Sequence, residues 1–128
     1  MKEEPKGRAA EFLQQAKEFL SSAMDNLKKG RPNAAGFDAV QSIINSNDAL
    51  TVKFLGRRAS KDHREAVNLH VDVIKVVHDD FGRDIIKEAL DKRSAIGYMG
   101  KKMGTADAKS MVDKAIRFAG WVEKAISG

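Results

Sequence analysis

Residues 33–55 read NAAGFDAVQSIINSNDALTVKFL, and the apolar side chains in this stretch recur at the spacing of an α-helix. At about 100° per residue, one face of that helix carries five large apolar side chains, namely Val40, Ile43, Ile44, Leu50 and Phe54. Gly56 follows as a stop signal. The stretch therefore predicts one long helix that packs an apolar face against other elements.

Four further segments have helical periodicity, and glycines fall between them. They cover residues 5–29, Ser60 to about Asp79, residues 82–97, and Thr105 to Ile126. No segment has the period-two alternation of a strand, so no strand is predicted. Because short connections favour antiparallel neighbours, the sequence predicts an all-α protein, an up-and-down antiparallel four-helix bundle with a fifth helix packed against it.

Length and composition limit the classes of protein to consider. The 128 residues suffice for one hydrophobic core, so a single domain over residues 1–128 is predicted. The chain has no cysteine, which excludes disulfides and thiolate metal sites. It has no membrane-spanning apolar run and no secretory signal, so we expect a cytoplasmic protein without a membrane partner. A net charge of +5 permits a polyanionic partner without requiring one.

Three of the predicted helices each carry a polar side chain in the middle of an apolar face: Asn47, His70 and Arg93. An unpaired buried charge costs several kcal/mol, so Arg93 must pair with an acceptor or face a wet groove. Asp48 is the nearest acceptor by residue type. Asn47 and His70 are more often satisfied core groups. Arg93 is permanently charged and suited to phosphate, although a self-pairing dimer interface would explain it equally well.

The stretch RRASKDH, residues 57–63, places His63 five residues after Arg58 and raises the question of a nuclease site. We favour the plainer interpretation, a solvated basic loop before a helix. His63 and His70 are seven residues apart, about 10 Å along a helix, which is too far to share a metal ion. No phosphate-binding glycine loop or common hydrolase motif occurs, so neither metal nor cofactor is predicted.

Three stretches resemble the HEPN family, named for nucleotide binding in higher eukaryotes and prokaryotes. They are AAEFLQQAKEFLSSAMDNLKKGRPNAAGFDAVQSIINSNDAL at 9–50, KRSAIGY at 92–98 and GTADAKSMVDKAIRFAGWVEKAI at 104–126. The resemblance implies a small helical bundle that forms a homodimer. Many members are metal-independent ribonucleases or toxins of toxin–antitoxin pairs, with arginine followed after four to six residues by histidine. The motif's arginine and its following polar residue would match Arg93 and Ser94, but Tyr98 stands where the histidine is expected.

Tyrosine is a poorer proton carrier at neutral pH than histidine, so cleavage by the family's usual route is not expected. The resemblance instead implies a dimeric module that binds nucleotide or RNA phosphate near Arg93, with Asn47, Asp48 and Tyr98 as further ligand-binding residues. Two alternatives stay open. One is a metal-independent endoribonuclease in which Arg58 or Arg93 stabilises the phosphate and His63 moves a proton. The other is a non-catalytic partner of a nucleotidyltransferase.

Overall fold

The protein is described by a computed structural model that covers residues 1–60 and 63–128, without the side chains of His63 and Tyr98. Within these residues the chain forms five α-helices and has an all-α architecture. They are α1 (Ala9–Lys28), α2 (Pro32–Leu55), α3 (His63–Val77), α4 (Arg83–Met99) and α5 (Thr105–Ser127). The predicted helical bundle is therefore confirmed.

Helix α2 lies at the centre of the bundle and packs against each of the other four helices. Pro32 occupies its first turn, where a missing amide costs little, and Gly56 ends it with φ of 69°. Nearly every residue from Ser42 to Val52 is buried, on all sides of the helix rather than on one stripe. Polar residues of α2 are consequently held deep in the molecule.

The prediction that the chain has no strand is wrong. Two antiparallel strands of two residues each, β1 (Lys2–Glu3) and β2 (Arg57–Arg58), pair Lys2 with Arg58. The amide of Glu4 extends the contact by donating to the carbonyl of Gly56 at 2.9 Å. Strands this short carry no readable alternation, which needs about four residues or more. The pairing anchors the segment after α2 and thereby positions Arg58.

Helix ends differ from the predictions by a few residues, as expected from fraying and capping. A 3₁₀ turn, Lys6–Arg8, precedes α1, which was predicted to begin at residue 5. Helix α3 begins at His63 instead of Ser60, with residues 61 and 62 outside the described part of the chain. It ends before His78, whose φ of 58° is left-handed. No helix in the described residues is long and apolar enough to cross a bilayer.

Candidate functional site

A pocket of about 350 Å³ opens where the first four helices and β2 approach one another. Among the residues that the structure describes, three charged side chains line it: Asp48 from α2, Arg58 from β2 and Arg93 from α4. Amide side chains also line it, namely Gln15, Gln41, Asn45 and Asn47. The structure thus brings together four of the residues proposed from the sequence, Asn47, Asp48, Arg58 and Arg93.

The placement of Arg58 differs from the solvated loop position predicted for it, while residues 61 and 62 of RRASKDH lie outside the described residues. Arg58 belongs to a strand, its side chain is only 24% exposed, and it faces the same pocket as Arg93. The sharp return of the chain at Gly56 places them in one site.

Arg58 is held in position by an acidic and an aromatic residue. Its Nε donates to the Glu4 carboxylate at 3.1 Å, and its guanidinium lies 5.4 Å from the centre of the Phe12 ring. Arg8 bonds the other carboxylate oxygen, so two arginines share Glu4. Burial opposes the ionisation of Glu4, but hydrogen bonds from Arg58 and Arg8 prevail and lower its pKa. Within the described residues the terminal nitrogens of Arg58 make no hydrogen bond, which leaves them available to a ligand.

Arg93 is half-buried, with its side chain at the pocket wall. It makes no hydrogen bond or ion pair with any residue that the structure describes. Its positive charge interacts electrostatically with Asp48. The carboxylate of Asp48 likewise accepts no hydrogen bond within the described residues. Burial raises the pKa of Asp48 to about 7, although the charges of Arg58 and Arg93 oppose the rise. Arg93 therefore lines the pocket without a bonded acceptor among the described residues, and its interaction with Asp48 is electrostatic only.

Asn47 and His70 form a buried pair beside the pocket. The Nδ1 of His70 lies 2.9 Å from the Oδ1 of Asn47, and the Nδ2 of Asn47 donates to the carbonyl of Ala66 at 3.4 Å. Burial lowers the pKa of His70 to about 4, so its ring is neutral at pH 7 and donates through Nδ1. The Nε2 of His70 has no partner in the described residues. This pair explains why both polar residues are tolerated on apolar helix faces.

Some residues of the site were missed from the sequence, and others lie outside the described residues. Gln15, Gln41 and Asn45 line the pocket, and Glu4 holds one of its arginines. The run of four polar residues at positions 45–48, flanked by apolar pairs inside a helix, was a signal for part of this set. Glu4 had no such signal because its role depends on the pairing of two very short strands. The side chains proposed at positions 63 and 98 are not described, so their roles stay predictions.

The described residues contain no group of three histidine or carboxylate side chains arranged to hold a metal ion. What the site offers instead is two guanidinium groups, one carboxyl and several amides around a small cavity. Such a set binds anions by charge and hydrogen bonding.

The fold and the site together define the class of protein. It is an all-α bundle whose central helix and fourth helix supply a basic, amide-lined pocket. The HEPN domain model matches residues 9–125, nearly the whole chain, and the chain belongs to the HEPN family. Membership relates the protein to nucleotide- and RNA-associated modules, often of the ribonuclease type. No curated protein matches the sequence.

Proposed function

We propose that the protein binds phosphate groups of nucleotides or RNA in the pocket around Arg93, as a homodimeric HEPN module. The observation that carries the proposal is the convergence of Arg58 and Arg93, from two separate elements, on one cavity. Neither guanidinium is fully satisfied by the described residues. A phosphate oxygen is the acceptor whose geometry suits the two-pronged guanidinium fork.

The immobilisation of Arg58 supports the same function. Because Glu4 and Phe12 hold its guanidinium, little side-chain entropy is lost when a ligand binds. The net charge of +5 would also attract a polyanion over a longer range and make binding sensitive to salt. RNA binding should therefore weaken as the salt concentration rises.

The test is a titration of labelled RNA and of nucleotides against wild type, Arg93→Ala and Arg117→Ala at two salt concentrations. Arg117 is exposed on α5 and outside the pocket, so its substitution removes the same charge elsewhere. A lost charge-assisted bond of about 1.5–3 kcal/mol should weaken binding by roughly 10-fold to 100-fold in Arg93→Ala. Equal affinities for the two variants, or no saturable binding, would refute the proposal.

A second candidate function is a metal-independent endoribonuclease, favoured by the presence of Arg58 in the same pocket as Arg93. In this mechanism an arginine stabilises the charge that develops on the phosphate while His63 moves a proton. Cleavage that persists in EDTA and disappears in His63→Ala would support it. RNA that stays intact at micromolar protein would leave phosphate binding as the function.

Two measurements test the proposed homodimer and the proposed nucleotidyltransferase partner. Sedimentation at working concentration separates a monomer from a dimer, and co-purification from the native host identifies a stable partner. A strict monomer in both free and ligand-bound forms would remove the dimer from the proposal.

A further inference from the structure

Within the described residues, one carboxyl group lines the pocket together with the two arginines. Asp48 lies on the buried central helix, and in the described part of the chain the charges that act on it are those of Arg58 from β2, Arg93 from α4 and Glu4 beside β1. The described lining residues contributed by α1 and α3 are uncharged. A carboxylate here competes with any anionic ligand for the two guanidinium groups.

We propose that the pocket takes a terminal phosphate monoester, as in a mononucleotide or a phosphorylated RNA end, and that Asp48 gains one proton when this group binds. The inference rests on the proposed phosphate-binding function and specifies its ligand. The proton comes from solvent and is held on a carboxyl oxygen of Asp48, and no covalent bond is made or broken.

Charge balance favours a monoester over a diester. A phosphate monoester carries about −1.5 to −2 charges near neutral pH, which two arginines can neutralise if Asp48 is uncharged. An ionised Asp48 would instead repel the dianion within the same small cavity. A protonated Asp48 can donate its O–H to a phosphate oxygen, so one proton turns repulsion into a hydrogen bond. A phosphodiester has only one negative charge and gains less from the same arrangement.

The shape of the pocket also suits a chain end. Its volume of about 350 Å³ is near the lower limit of ligand-binding cavities, which span roughly 300–1,000 Å³. Its lining includes Ile86 and Leu90, which are 1% and 5% exposed and belong to the hydrophobic core. Because this wall is closed by the core, a polynucleotide cannot continue past the phosphate in that direction. Gln15, Gln41 and Asn45 offer donors and acceptors to a sugar or base that follows the phosphate.

The pKa of Asp48 suits the uptake of a proton when the ligand binds. Burial raises its pKa to about 7, so the neutral and ionised forms are both populated near physiological pH. A bound dianion would favour the neutral form further. Proton uptake should therefore be partial at pH 7 and nearly complete at pH 8.

The experiment is calorimetric titration of wild type and Asp48→Asn with AMP, 3′,5′-cyclic AMP and adenosine at pH 6 and pH 8. AMP is a monoester, cyclic AMP a diester, and adenosine has no phosphate. Buffers of different ionisation enthalpy report the protons taken up by wild type directly. A parallel series with 5′-phosphorylated, 3′-phosphorylated and unphosphorylated RNA of one sequence separates a free nucleotide from an RNA end as the source.

We expect wild type to prefer AMP to cyclic AMP by at least tenfold and to take up close to one proton at pH 8. Between pH 6 and pH 8 the affinity of wild type for AMP should fall about tenfold more than the affinity of Asp48→Asn does. The titration of AMP itself affects both proteins equally and cancels in this comparison. Equal affinity for AMP and cyclic AMP would overturn the monoester preference. An absence of proton uptake in wild type would overturn the role of Asp48, even if the variant failed to fold.

Different experimental results would refute this inference and the proposed phosphate-binding function. RNA binding that depends on Arg93 but ignores terminal phosphate and pH would refute only the inference. Binding of all probes that is unchanged in Arg93→Ala would refute the proposed function as well.

Discussion

Replacing Asp48 by asparagine is expected to stabilise the protein above neutral pH. The carboxyl is partly buried on α2, and the two nearby arginines do not offset the cost of removing its charge from water. Asparagine has nearly the same shape and never ionises, so it removes the charge without opening a cavity. The gain in the free energy of unfolding should therefore depend on pH.

The sign and size follow from linkage between protonation and folding. The pKa of Asp48 rises from 3.8 to about 7 on folding, so the native state binds the proton more tightly than the unfolded chain. The wild type thus loses stability as the pH rises from about 4 to 7, and the loss is constant above that range. At about 1.4 kcal/mol per pKa unit, the loss in the free energy of unfolding is at most about 4 kcal/mol for a site without water. Partial access of water should lower it to roughly 2 kcal/mol.

The assay is urea unfolding of wild type, Asp48→Asn and Asp113→Asn at pH 4.5, 6, 7 and 8.5. Asp113 is exposed on α5, so its substitution controls for a change of net charge alone. The stability difference between Asp48→Asn and wild type should grow by more than 1 kcal/mol across this series. A difference that is constant with pH, or that matches the Asp113→Asn control, would show that Asp48 is an ordinary solvated carboxylate.

Further predictions concern the packing and the buried pair. Gly82→Ala should destabilise the fold by about 1–3 kcal/mol because a Cβ there would lie 2.2 Å from Phe118 and 2.9 Å from His70. Gly97→Ala, where a Cβ meets nothing within 4 Å on a helix, should stabilise by about 0.5–1 kcal/mol, and thermal unfolding compares the two. Asn47→Ala should cost about 1–3 kcal/mol in urea unfolding because it leaves the Nδ1 of His70 without an acceptor. The pKa of His70 falls on folding from 6.5 to about 4, so the unfolded chain binds more protons in that range. The contribution of His70 to stability is complete above pH 6.5 and is lost toward pH 4, and His70→Gln should flatten this slope.

The fold could be predicted from the sequence because helical periodicity is a local property that every segment displays. The arrangement of polar groups around α2 could be predicted only in part. Asn47 and Arg93 interrupt apolar stripes, and such interruptions are visible in a helical projection. Arg58 reaches the same cavity through a two-residue strand, and Glu4, the residue after the other strand, positions it. Contacts of this kind depend on tertiary geometry and leave no periodic trace.

Asn47 and Asp48 are neighbours on α2, and the reasons for their burial differ. Asn47 bonds His70 and Ala66, so its place in the core is explained by hydrogen bonding. Asp48 accepts no such bond within the described residues, and burial raises its pKa to about 7 at a cost to stability. Buried carboxyls that weaken a fold are typical of binding and catalytic sites, where stability is exchanged for activity. Two arginines share its pocket, and the proposed binding of an anion with uptake of a proton would account for Asp48 where packing does not.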